Sequence, residues 1–303
     1  MKKRWLLLLS VLSALLFAAC GQGGGSGKDA KPEAKKSEVQ KAKVGVVSDT
    51  NRVIWADVKK RLKDEENIDL EIVTMDDWVT PNVAVQEGEL DMNCFEYIPF
   101  LHDYNDAHDA DLVPVGYAYL PPISIYAVDS IKSIDDVPEG ASFALPEDPV
   151  NLGHSLLEIE KAGLITLKAT EVDNPTLDDI ETNPKNIEFK LLEGSNIARA
   201  LGDVDLMITG SSVAADAGYD KEDAVYTEDP EKTSNYYKVM LVVKRDRVDD
   251  PLIQKIKKAY QSEETKATMK ENLDDNILPA WPEDDKATAD YDEYVKKLED
   301  AGK

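Results

Sequence analysis

Hydrophobic positions change their spacing several times along this chain, and the first change marks a segment apart from the fold. Lys2, Lys3 and Arg4 are followed by an almost wholly apolar run over residues 5–17 and then by Ala18-Ala19-Cys20. The run is shorter than the roughly 18 residues a helix needs to cross a bilayer, so residues 1–19 read as a cleaved export signal. An ordinary secretory signal with a chance cysteine is the other reading of the same residues. Residues 20–43 are rich in Gly, Lys, Ala, Asp and Glu, lack the apolar content to pack, and read as a flexible tether. The folded part is expected to begin near Val44.

From there short apolar runs alternate with helical spacing, the signature of parallel sheets covered by helices. Residues 44–47 read as a buried strand. Ile54, Val58 and Leu62 mark one helical face, and Leu70 and Ile72 alternate as in a strand. Thr80-Pro81 opens a helix that Gly88 stops. Residues 115–127 are apolar but broken by Leu120-Pro121-Pro122, which a central strand does not tolerate, so they read as a crossing between lobes. Residues 141–145, 187–191 and 204–208 are then strands of a second lobe, with helices around 152–161 and 196–201. Residues 239–243 form a strand able to carry the chain back, and Asp250-Pro251 opens a capped helix to about Tyr260. The expected division is 44–118 with 239–303 as lobe 1 and 119–238 as lobe 2, since a fold of this length exceeds one typical core. Tyr291, Tyr294, Val295 and Leu298 keep the spacing of a short amphipathic helix near the end, with no function legible in it.

Composition narrows the function. With 60 acidic against 35 basic side chains and a formal charge of −25, the chain repels phosphate backbones, and nucleic acid is excluded as a partner. There are two cysteines; if Cys20 at the end of the export signal is modified, Cys94 has no partner for an intramolecular disulfide, and stability has to come from packing. There is no zinc-protease helix, phosphate-binding glycine loop or Gly-x-Ser-x-Gly turn, so an enzyme is disfavoured and no cofactor is implied. His102 and His108 lie six residues apart, on different faces of a helix, which reads as a solvated acidic helix and not as a metal site.

One internal echo suggests a cleft. Gly88-Glu89-Leu90-Asp91 leads into a strand ending at Phe95, and Gly202-Asp203-Val204-Asp205 leads into one ending at Ser211. Ligands bind beyond the carboxyl ends of strands in open α/β sheets, which places Phe95 and Ser211 on facing lobes. His154 directly follows a loop over residues 146–153, a ligand-facing position.

Several collinear segments resemble the NlpA/MetQ family of methionine-binding lipoproteins. They include Lys43-Val44-Gly45-Val46, Pro81-Asn82-Val83-Ala84, Asp91-Met92-Asn93-Cys94-Phe95-Glu96-Tyr97, Asp111-Leu112-Val113-Pro114-Val115-Gly116, Ala162-Gly163-Leu164-Ile165 and residues 181–187. The resemblance implies an α/β, periplasmic-binding-protein-like fold, with a ligand cleft between two lobes and two chain crossings. It implies an extracytoplasmic lipoprotein that delivers an amino acid to the membrane permease of an ABC importer. Ala18-Ala19-Cys20 likewise resembles a bacterial lipobox, implying that Cys20 is acylated and anchors the chain in the cell membrane; each buried methylene contributes about 0.8 kcal/mol. By position, the family's aromatic pocket falls on Trp78, Phe95, Tyr97, Phe100 and Tyr119, rings suited to a thioether.

The polar clamp departs from the family. Its arginine position is His154 here, after Glu147-Asp148-Pro149-Val150-Asn151-Leu152-Gly153; its Ile-Asn-Gly-Asn is Ile208-Thr209-Gly210-Ser211; and its return-strand asparagine is Val239. The expected polar contacts are therefore Asn151, His154, Thr209 and Ser211, with Arg52 as a substitute carboxylate anchor. Histidine lacks the permanent charge and bidentate fork of arginine, so the ligand is expected to differ from methionine or to bind differently. A surface adhesin or sensor that no longer transports a solute is the alternative.

Overall fold

A computed structural model describes residues 38–168, 174–273 and 276–300. The export signal, Cys20 and most of the tether lie outside the described residues. In chain order the strands and helices are β1 (Gln40–Val46), α1 (Asp49–Glu66), β2 (Ile68–Thr74), α2 (Thr80–Glu87), β3 (Met92–Asn93), α3 (Ile98–His108), β4 (Leu112–Leu120), β5 (Ile123–Ala127) and β6 (Ser142–Pro146). They continue as α4 (Pro149–Lys161), β7 (Thr166–Leu167), β8 (Ile180–Thr182), β9 (Glu188–Leu192), β10 (Leu206–Gly210), α5 (Ser211–Asp216) and β11 (Ala224–Thr227). The last are β12 (Val239–Lys244), α6 (Pro251–Tyr260), α7 (Glu263–Asn272), β13 (Leu278–Pro279) and α8 (Ala287–Asp300).

Two main sheets divide the chain. One runs β13-β4-β12-β3-β1-β2 and the other β11-β5-β10-β6-β9. The first crossing falls at Pro121-Pro122, between β4 and β5, where neither residue has an N–H to give a ladder. Tyr119 therefore sits on β4 of the first sheet, and the return falls between β11 and β12. Neither sheet is wholly parallel: β1 runs parallel to β2 and β3, whereas β12 and β13 pair antiparallel to β4, and β5 pairs antiparallel to β10 and β11. Each of these antiparallel pairs includes at least one of β4, β5, β11 and β12, the strands that flank the two crossings. β1 begins at Gln40, so residues 40–43, expected in the tether, pair instead with residues 68–71 of β2.

Local chemistry explains the main boundaries. Asn67 ends α1 in the left-handed region at φ 55°, tolerable for asparagine. Asp148 caps α4 by accepting the Asn151 N–H at 2.9 Å, with Pro149 in the first turn. α4 thus starts three residues before the expected position, and Asn151 and His154 lie on its first turns. The helix expected over 196–201 is instead a 3₁₀ segment over Gly194–Arg199.

The first lobe buries Ile54, Trp55, Val58 and Leu62 of α1 against β1, α6 and α7, and Trp55 lies 4.8 Å from Tyr260 between ring centroids. Cys94 is buried in the same cluster as a free thiol, and burial pushes its ionisation upward, so it is inert. α8 packs Tyr291 and Tyr294 over β4, and Thr288 donates to the Pro114 carbonyl at 2.6 Å. Among the described residues no helix is long and apolar enough to cross a membrane.

Candidate functional site

The two sheets end at one cavity of about 80 Å³. β3 stops after two residues, and Pro99 starts α3 almost at once, so a sharp turn brings Phe95, Tyr97 and Phe100 together. Phe100 meets Phe95, Tyr97 and Trp78 edge to face with centroids at 6.0, 6.5 and 6.4 Å, the favourable geometry for ring pairs. Asn51 on α1 and Tyr119 on β4 complete the first-lobe wall, and the Asn51 amide donates to the Tyr119 hydroxyl at 2.5 Å. The second lobe contributes Asn151 and His154 from α4, with Gly210, Ser212 and Val213 from the β10–α5 junction.

Polar contacts tie these walls to carboxylates just behind them. The Tyr97 hydroxyl donates to Asn151 Oδ1, and Asn151 Nδ2 donates to both Asp148 oxygens at 2.9 and 3.0 Å. His154 Nε2 lies 3.1 Å from Glu228 Oε1, while Tyr237 stacks on the imidazole at 3.9 Å. Glu228 also accepts from Thr233 and from the Ile123 N–H. Burial opposes ionisation of Glu228, yet the His154 hydrogen bond and charge and these other donors hold its carboxyl below the ordinary value. Burial raises Asp148 despite its bonds from Asn151. The Tyr97 phenol is pushed up by burial and further by the charges of Asp148 and Glu228.

Of the residues expected from sequence, Trp78, Phe95, Tyr97, Phe100, Tyr119, Asn151 and His154 line this cavity, and Thr209 and Ser211 do not. Thr209 is buried opposite Ser124 in the β10–β5 ladder, and the Ser211 hydroxyl donates to the Asn276 carbonyl. Strand alternation turns Gly210 to the cavity instead, and α5 then presents Ser212 and Val213. Arg52 also lies outside: it donates to Thr74 at 2.9 Å and sits 3.7 Å from Asp49, with half of its side chain exposed. Sequence reading missed Glu228 and Tyr237, which no local pattern marks and which reach His154 only through the fold. On α3, His108 stacks on Tyr104 and His102 meets the edge of Tyr294, so the two imidazoles occupy separate environments. Among the described residues, His154, Glu158 and Glu228 bring ligand-type atoms within 4.8 Å of one another. Their carboxylates already take protein donors, with Glu158 accepting from Lys161 and from Tyr226.

Glu96 is the buried acid of the first-lobe wall. Burial pushes its carboxyl up to about 8 from an ordinary 4.5, against hydrogen bonds from Asn82 and Asn93. The folded form holds the proton to higher pH than the unfolded chain, so its contribution to stability is full below about pH 4.5. That contribution falls as pH rises toward 8, by up to about 1.4 kcal/mol per pH unit. Glu96→Gln removes the ionisation and keeps an acceptor oxygen for the Asn82 amide. Thermal melts of the variant are expected above wild type at pH 8, with the gap closing by pH 5; a constant gap would contradict the assignment.

Two contacts span the lobes at the rim. The Asp216 carboxylate on α5 accepts the N–H groups of Asp49 and Thr50, at 3.0 and 2.8 Å, at the start of α1. Ser48, the residue before that helix, makes no side-chain cap of its own. Gly194 lies against Trp78, where an added Cβ would overlap the indole ring. Outside this pair a groove of about 460 Å³ runs between the lobes, past Asp76, Arg199 and Asp216.

Two α/β lobes joined by two crossings and closing on one aromatic cavity define the periplasmic-binding-protein-like class. Comparison with known proteins agrees: the model for the NlpA lipoprotein family matches residues 42–281. The D-methionine-binding lipoprotein MetQ of Escherichia coli K12 is 32% identical over 275 residues, covering 90% of this chain and 96% of the relative. A nutrient-binding protein from Burkholderia cenocepacia, solved bound to methionine, superposes with a TM-score of 0.75 at 32% identity, over 79% of this chain and 99% of the other. A periplasmic substrate-binding protein of an ABC transporter from Coxiella burnetii gives 0.74 at 30% identity, over 79% and 100%. The chain belongs to the NlpA lipoprotein family, and it is a binding protein of that kind and not an enzyme.

Proposed function

We propose that this chain is the extracytoplasmic solute-binding component of a methionine-type ABC importer, held on the cell membrane through acylated Cys20. Its ligand is a small, amino-acid-like molecule enclosed by Trp78, Phe95, Tyr97, Phe100 and Tyr119, with Asn151 and His154 in a polar clamp that departs from the methionine pattern. The observation that carries this reading is the aromatic cavity bridged from lobe to lobe by Tyr97 and Asn151. Rings of this kind grip an apolar tail with little entropy loss, and lobe closure around the solute supplies the docking signal for a permease. The names of the relatives support the transport role.

Titration calorimetry on residues 38–303 with L-methionine, D-methionine and methionine dipeptides, together with native mass spectrometry of copurified solute, tests it. A small ligand held at micromolar Kd or tighter is the expected result. Micromolar binding of L-methionine would remove the divergence of the clamp. Absence of any small ligand, together with binding to a macromolecule, would point to an adhesin or sensor on the same scaffold.

A further inference from the structure

The cavity wall is suited to positive charge. Among the described residues no Lys or Arg side chain lines it, and the lining group able to become cationic, His154, directs Nε2 at Glu228. Two carboxylates stand immediately behind the lining, Asp148 through Asn151 and Glu228 through His154. Each stands one hydrogen bond behind a lining side chain, Asp148 behind the Asn151 that accepts from Tyr97 and Glu228 behind His154. Summed over Asp148, Glu228 and His154, the charge of this corner is negative in either protonation state of the imidazole. On the opposite wall Asn51 lines the cavity, and its buried Oδ1 has no hydrogen-bond partner.

A ligand carboxylate placed in such a chamber loses its hydration, meets no cation, and is repelled through a poorly screening medium. An ammonium there meets ring faces, an unpartnered amide oxygen and the attraction of two nearby acids. We propose that the cleft takes a small apolar amine without a free carboxylate, its nitrogen set between the aromatic rings and Asn51 Oδ1. The assignment rests on the solute-binding reading above and names the chemical class of that solute.

Calorimetry with L-methionine and with its decarboxylated counterpart, 3-(methylsulfanyl)propan-1-amine, separates the charge requirement from the fit of the tail. The amine is expected to bind at least about tenfold tighter than L-methionine, the ratio for one well-placed charge contact. In Glu228→Gln, with its melting temperature measured as a control on folding, the amine is expected to weaken by about threefold to tenfold and the preference to shrink. L-Methionine binding tighter than the amine overturns the amine assignment and leaves the solute-binding reading standing. Another copurified solute carrying a free carboxylate does the same. No small molecule bound by the folded wild-type protein overturns both.

Discussion

Replacing Gly194 with alanine is expected to weaken ligand binding by about tenfold to a hundredfold while leaving the ligand-free fold intact. The position carries no left-handed backbone requirement, so alanine costs nothing locally. Its Cβ, however, overlaps the Trp78 indole, which belongs to the facing lobe and shares the cavity wall with Phe100. The conflict exists only when the lobes are together. Overpacking of this kind costs about 1–3 kcal/mol, which falls wholly on the closed, ligand-holding state. Titration calorimetry of the variant against wild type reads the change, and thermal melts without ligand serve as the control. Unaltered affinity with unaltered melting would show that the indole yields freely and that this seam does not govern closure.

Asp216→Ala carries the second large effect, a loss of about fivefold to thirtyfold in affinity. Helix α1 begins without a side-chain cap from Ser48, and its first free N–H groups are satisfied across the cleft by the Asp216 carboxylate. Removing a helix N-cap typically costs about 1–2 kcal/mol, and charge at that end of a helix dipole adds to the contact. Because the cap is made only between closed lobes, its removal shifts the population toward open forms. Small-angle scattering of ligand-free protein is expected to show a larger radius of gyration for the variant. Asp216→Asn, which keeps one acceptor oxygen, should fall between the two. An unchanged affinity in Asp216→Ala would show that solvent caps α1 equally well.

Much of this organisation is written in local chemistry. Pro81 in the first turn and the left-handed Gly88 bracket α2, but Thr80 is not its N-cap: the helix includes Thr80, and Asp77 accepts the Val79 and Thr80 N–H groups at 2.8 and 2.7 Å. Pro121-Pro122 marks the crossing because two residues without N–H groups cannot sit inside a ladder. Asp148-Pro149 is the same starting signal as Asp250-Pro251, yet the surrounding loop-like composition masked it, so α4 begins earlier than its apolar spacing suggests. The aromatic group of residues 95–100 is legible because a short strand, a turn and a proline-started helix place neighbours in sequence beside one another. Thr209 and Ser211 show the limit: Gly210 faces the cavity between them, and strand phase is fixed by tertiary pairing with β5 rather than by sequence. Glu228 was out of reach for another reason. It lies 74 residues from His154, and only the second sheet, joining β5 to β11, brings the loop after β11 to α4.

The seam at Trp78 gives the molecule an optical readout of its own state. Trp55 is wholly enclosed in the first lobe and Trp281 is packed on the same core, so neither changes surroundings as the halves separate. The indole at position 78 exchanges contact with Gly194 for water in that movement. Intrinsic fluorescence thus registers the hinge without a dye, and stopped-flow mixing can time its motion in the native sequence.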